Sequence, residues 1–147
     1  MASHFTKIYI HLVWRTKDNR RTLTGDLAQF VETKLHEYGR KRDLEPLAIG
    51  PAYNHVHAYY EWDVKVAVAD TVRALKSKTT VKWNKPVRNG ERDGPLLEWQ
   101  TGYGAVSTRR SDVEVVRAYV DNQDERHRRD ETWAPFEQLT ETKGAAE

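Results

Sequence analysis

The sequence contains no cysteine. A disulfide framework and a thiolate metal site are therefore excluded, and any divalent-metal chemistry has to use imidazole, carboxylate or amide ligands. The same absence fits a reducing compartment, and the cytoplasm is the expected location. No apolar run approaches the roughly 18–20 residues that a bilayer span needs, and no secretory-type apolar segment stands near the N-terminus. A soluble protein without a membrane partner is expected. Charge of one sign is scarce too: a net charge of +2 is too small to identify a nucleic-acid partner by itself. There is no internal repeat. A chain of 147 residues suits one domain that buries its own core.

What is present is distributed unevenly. Arg15, Lys17, Arg20 and Arg21 form one basic cluster, Arg73, Lys76, Lys78 and Lys82 a second, and Arg126, Arg128 and Arg129 a third. Each is either a local positive patch or a solvated face. Five tryptophans and seven tyrosines offer flat surfaces on which bases can stack, as well as ordinary core material.

Hydrophobic periodicity gives the elements. In residues 7–15, Ile8, Ile10, Leu12 and Trp14 share one face, the period-two signature of a half-buried strand. From Thr24 onward Leu27, Phe30, Val31, Leu35 and Tyr38 recur at helical spacing, with Gly39 as a stop signal. Residues 44–49 and 54–62 read as two strands joined tightly at a Gly50-Pro51 break. A second helix spans about 66–83 with Val68, Val72, Leu75 and Trp83 inward, and the proline- and glycine-bearing stretch 84–95 reads as a surface loop. Residues 96–100 and 105–108 read as one strand interrupted or bent at Gly102 and Gly104. Ser111 and Glu114 have capping-box spacing and open a third helix carrying Val113, Val116, Tyr119, Val120 and Gln123.

This order predicts an α+β fold: an antiparallel sheet with helices packed on it, in a ferredoxin-like or RRM-like βαββαβ arrangement plus a C-terminal helix that holds the tyrosine. A catalytic domain is expected over residues 1–130. Residues 131–147 are expected to be a polar, partly disordered tail in which Trp133, Phe136 and Leu139 are the groups able to dock.

Two patterns can carry chemistry. On a strand, His55 and His57 point the same way, about 6–7 Å apart along the chain, so two imidazoles can hold one ion. The alternative is a pair of ordinary strand histidines bonded to neighbours or solvent. On a helix, Tyr119 and Gln123 lie one above the other, and the Gln123 amide oxygen can complete a two-histidine, one-oxygen set for magnesium or manganese. Tyr119 is then a nucleophile, or else a packed helix tyrosine beside a solvent-facing glutamine.

Several ordered motifs go further: His11-Leu-Val-Trp14 with Thr16-Lys17, Asn54-His-Val-His57, Leu75-Lys-Ser-Lys78, Trp99-Gln100, Gly102-Tyr-Gly-Ala105 and Tyr119-Val-Asp-Asn-Gln123. With their spacing, over roughly residues 5–139, the chain resembles the single-tyrosine HUH transposases of insertion sequences that move as single-stranded DNA, and their REP-associated relatives. The resemblance implies His55, His57 and Gln123 as ligands of Mg2+ or Mn2+. It implies Tyr119 as the nucleophile that becomes linked to a DNA 5′ phosphate. It also implies single-stranded DNA with hairpin ends as substrate, and a homodimer with shared active sites in which a tyrosine serves the metal of its own chain or of the partner. Arg73, Lys76, Lys78 and Lys82 are the candidates for DNA-backbone contacts, which would make binding salt-dependent.

The chain departs from the family pattern at Ala58-Tyr59-Tyr60-Glu61, where leucines and valines are usual, at Val106 and Thr108, and at Arg126-His127. None of these removes a catalytic atom. Two competing readings use the same residues: a non-catalytic or domesticated single-stranded DNA or RNA binder on this scaffold, and a metal-dependent hydrolase of small phosphoesters using His55 and His57.

Overall fold

Strand β1 (Ile8–Arg15) forms where the alternation predicts it and runs inside a four-stranded sheet. The computed structural model describes residues 5–122. The expected tail, Gln123 and the third basic cluster lie outside the described residues. After β1 come α1 (Gly25–Lys41), β2 (Glu45–Ala52), β3 (His55–Trp62), α2 (Val68–Arg88), β4 (Gly104–Thr108) and α3 (Val113–Asp121). The sheet order is β2-β3-β1-β4 with every neighbouring pair antiparallel, the ferredoxin-like α+β arrangement that the element order predicts. No helix among the described residues is long and apolar enough to cross a membrane.

Period-two alternation sorts the side chains onto two unequal faces. Leu12, Trp14, Val56, Ala58, Tyr60 and Trp62 meet Leu27, Val31 and Leu35 of α1 and Val72, Leu75 and Trp83 of α2. On the opposite face a smaller cluster joins Tyr9, Ala48 and Tyr59 to Val116, Tyr119 and Val120 of α3. Each large apolar side chain contributes roughly 1.5–3 kcal/mol on full burial, so most of the hydrophobic stabilisation sits on the α1/α2 side. The histidines lie on the other.

Gly39 does not stop α1, which continues to Lys41. Its role is steric: a Cβ there would come 2.6 Å from a ring carbon of Tyr60. That ring is pinned because the Tyr60 hydroxyl donates to the Leu35 carbonyl at 2.8 Å.

The Gly50-Pro51 pair is not a break either. Both residues pair within β2, and the turn falls at Tyr53, which takes a left-handed φ of 55°. β2 is an edge strand, where a residue without an N–H is tolerated. Helix α2 outruns its predicted end and contains Pro86. The buried Asn84 amide ties this part of the helix to the segment that follows: it donates to the Leu97 carbonyl at 2.9 Å and accepts the Leu97 N–H at 2.7 Å. Only the loop beyond Arg88 remains of the one expected over 84–95.

Residues 96–100 are separated from β4 by an interruption, one of the two forms expected, rather than joined to it through a bend. They run beside the end of β1 through a single bridge between Thr16 and Trp99, and strand structure resumes at Gly104. The expected capping box is also absent: Ser111 sits in a 3-10 turn (Arg110–Asp112), and α3 starts from Asp112 without a side-chain cap bond.

Candidate active site

His55 and His57 stand on β3 two residues apart, so the pleat directs both to the face that α3 covers. Their ring centroids are 4.9 Å apart with planes at 71°. Both are buried, at 3 % and 0 % exposure. Burying an imidazole costs free energy unless its nitrogens are bonded, and each ring has its Nδ1 engaged. The His55 Nδ1 lies 2.8 Å from the Asn54 side-chain oxygen. An amide oxygen only accepts, so His55 Nδ1 is the donor, and in the neutral ring the lone pair falls on Nε2. The His57 Nδ1 lies 2.8 Å from Nε2 of His11 on β1.

Two imidazoles on one face, each held through Nδ1, are what a divalent-cation site asks of its histidine ligands, whose far nitrogen is ordinarily fixed by a second hydrogen bond. The arrangement fits the expected ion. Among the described residues no group of three or more His, Cys, Asp or Glu side chains converges to hold a metal. The expected third ligand, Gln123, lies outside those residues.

Helix α3 brings Tyr119 to the same place. Its ring meets that of His57 edge-on, with centroids 5.7 Å apart and planes at 86°. The amphipathic spacing of Val116, Tyr119 and Val120 does this: the three are the buried residues of the helix and pack on Tyr9, Ala48 and Tyr59. Tyr59 bonds through its hydroxyl to Thr108 Oγ1 at 2.5 Å. Burial raises the pKa of that hydroxyl, the Thr108 bond opposes the rise, and Tyr59 stays a neutral phenol at physiological pH.

The basic candidates of α2 are not brought to this face. Arg73, Lys78 and Lys82 are exposed on the helix that packs on the opposite side of the sheet. Arg73 pairs with Asp70 at 3.3 Å, and the Lys78 ammonium sits 5.4 Å from the Tyr38 ring centre. Lys76 is partly buried and donates to the carbonyls of Gln100 at 2.9 Å and Gly102 at 2.7 Å, so it fastens the segment that leads into β4. Glu61, on the histidine side of β3 but at its far end, pairs with Lys7 at 3.7 Å.

Two residues in the recognised motifs had no role assigned from sequence. Asn54 holds His55, and its place immediately before the dyad was visible. His11 holds His57, and its signal was the alternation of β1, which sets His11 on the face opposite Ile10 and Leu12.

The sequence profile described as "Transposase IS200 like" matches residues 4–123. A search of the curated proteins finds no match. Among solved structures, a candidate transposase from Deinococcus radiodurans R1 superposes with a TM-score of 0.65 at 19% identity, covering 84% of this chain and 96% of that one. A REP-associated tyrosine transposase bound to a REP hairpin superposes with a TM-score of 0.62 at 15% identity, covering 86% of this chain and 73% of that one. At these identities the two structures establish the shared fold, and the profile, spanning most of the sequence, establishes kinship: the chain belongs to the IS200-like transposase family.

Proposed function

We propose that the chain is a metal-dependent transposase that cuts and rejoins single-stranded DNA through a phosphotyrosine on Tyr119, using a catalytic domain over residues 1–130. The observation that carries this reading is the contact of the Tyr119 ring with His57 beside the buried His55. A magnesium or manganese ion held by His55, His57 and Gln123 would act as a Lewis acid on the scissile phosphate. The Tyr119 oxygen attacks phosphorus, losing its proton to solvent or a nearby base. The P–O3′ bond breaks, and the departing 3′ oxygen takes up a proton. The 5′ phosphate remains on the tyrosine, and a second 3′ hydroxyl reverses the step to rejoin a strand. Two transesterifications thus replace a hydrolysis and conserve the phosphodiester.

Hairpin-ended DNA is the substrate class supported by the kinship and by the hairpin-bound structural neighbour. The place of action would be the cytoplasm. Arg73, Lys78 and Lys82 are then backbone contacts for the folded part of the DNA, on the other side of the sheet from the cutting site. We further propose a homodimer. Of the two outer strands, β2 carries Pro46 and Pro51, which cannot donate to a new ladder, so β4 is the better edge for joining sheets.

The test uses a single strand carrying the hairpin of its own flanking DNA and labelled at its 3′ end. With magnesium, the wild-type protein should yield a denaturant-resistant labelled adduct, lost on chelation and in Tyr119→Phe. An adduct that persists in Tyr119→Phe removes the nucleophile. Chelator-insensitive binding with no covalent product identifies a non-catalytic binder instead.

A further inference from the structure

A buried histidine that serves neither as ligand nor as nucleophile stands behind the dyad. His11 is fully buried on β1, with Tyr59 across from it on β3 and Val106 across from it on β4. Its register partner is not His57, which faces Val13, so the two histidines meet on the diagonal of the sheet. Their rings stack with centroids 4.9 Å apart and planes at 25°, and His11 Nε2 lies 2.8 Å from His57 Nδ1. The edge of the Tyr59 ring closes on His11 at 6.1 Å.

A hydrogen bond between two imidazole nitrogens needs one donor and one acceptor, which allows two arrangements of neutral rings. In one, His11 donates from Nε2, and His57 must carry its own proton on Nε2, where no lone pair is then left for a cation. In the other, His57 donates from Nδ1 to His11, and its Nε2 lone pair is available. Only the second serves a metal site. It also matches His55, whose Nδ1 donates to the Asn54 amide oxygen.

We propose that His11 is a positioning residue for the cation site: its Nε2 accepts the Nδ1 hydrogen of His57 and thereby fixes the tautomer and the ring orientation of that ligand. The inference rests on the reading of His55 and His57 as ligands. Such outer partners typically alter metal affinity by about 10–100-fold when removed.

The test compares wild type, His11→Leu and His11→Gln for Mn2+ binding by calorimetry, with His57→Ala as reference, and reads the His57 tautomer of the metal-free wild type from long-range 1H–15N correlations. Leucine fills the space without an acceptor and should weaken Mn2+ binding by about 10–100-fold. Glutamine places an oxygen near the former Nε2 and should restore affinity to within about threefold of wild type, which loss of packing alone would not predict. The wild-type spectrum should show His57 protonated on Nδ1. Wild-type affinity in His11→Leu, equal losses in the leucine and glutamine variants, or a His57 proton on Nε2 would each overturn the proposal. If His11→Leu fails to fold, the wild-type tautomer and the glutamine variant decide it. Mn2+ binding that is absent in wild type, or unchanged in His57→Ala, overturns the ligand reading itself and is thereby distinguished from failure of His11 alone.

Discussion

Tyr119 meets His57 of its own chain edge to face, 5.7 Å between ring centres. In this arrangement the proposed nucleophile and the dyad come from one polypeptide, even if two chains associate. Mixing Tyr119→Phe with His57→Ala should therefore leave adduct formation near background. Recovery to a substantial share of wild-type yield in the mixture would show instead that tyrosine and dyad are exchanged between chains.

Gly39 is kept free of a side chain by the pinned Tyr60 ring. Alanine at position 39 gains about 1 kcal/mol of helix propensity but overpacks the site by about 1–3 kcal/mol, so a net loss of up to about 2 kcal/mol is expected. The urea midpoint of Gly39→Ala against wild type measures it, and an unchanged or higher midpoint would show that the ring yields.

Burial also holds the Tyr60 hydroxyl far above its ordinary pKa. The folded protein keeps that proton when an unfolded chain has begun to lose it. The stabilisation is thus complete below the unfolded tyrosine pKa of about 10 and declines as pH rises above it. Tyr60→Phe should be less stable at pH 8 by about 0.5–1.5 kcal/mol, through loss of the bond to Leu35, yet close the gap with wild type toward pH 11. Parallel stability curves for the two proteins between pH 8 and 11 would refute this.

The basic candidates of α2 separate into two kinds. Neutralising Arg73, Lys78 or Lys82 should reduce the slope of log affinity for hairpin DNA against log salt by roughly 1 each, with stability little changed. Lys76→Met should do the reverse, because its ammonium serves two backbone carbonyls: a stability loss of about 1–3 kcal/mol with the salt slope preserved. Thermal unfolding and salt titrations on the four variants distinguish the two behaviours.

Alternation was enough to read β1, the shared face of His55 and His57, and the buried stripe of α3, because each depends on neighbours along the chain. What escaped depends on distant residues. Pro51 sits in a strand because β2 is an outer one, and Asn84 of α2 is clamped to Leu97 in the segment beyond the helix. The bond between His11 and His57 follows from the register of β1 against β3, which no local pattern specifies. The place of Gln123 lies outside the described residues, so the spacing that links it to Tyr119 stands on sequence alone.

The sheet divides its labour by side. Its broad apolar interior adjoins α1 and α2, while the imidazoles and the phenol share the thin layer under α3. Damage to the layer under α3 therefore need not topple the architecture. If the proposed chemistry holds, a descendant that has ceased to cut can persist as a well-formed protein, open to recruitment for other work.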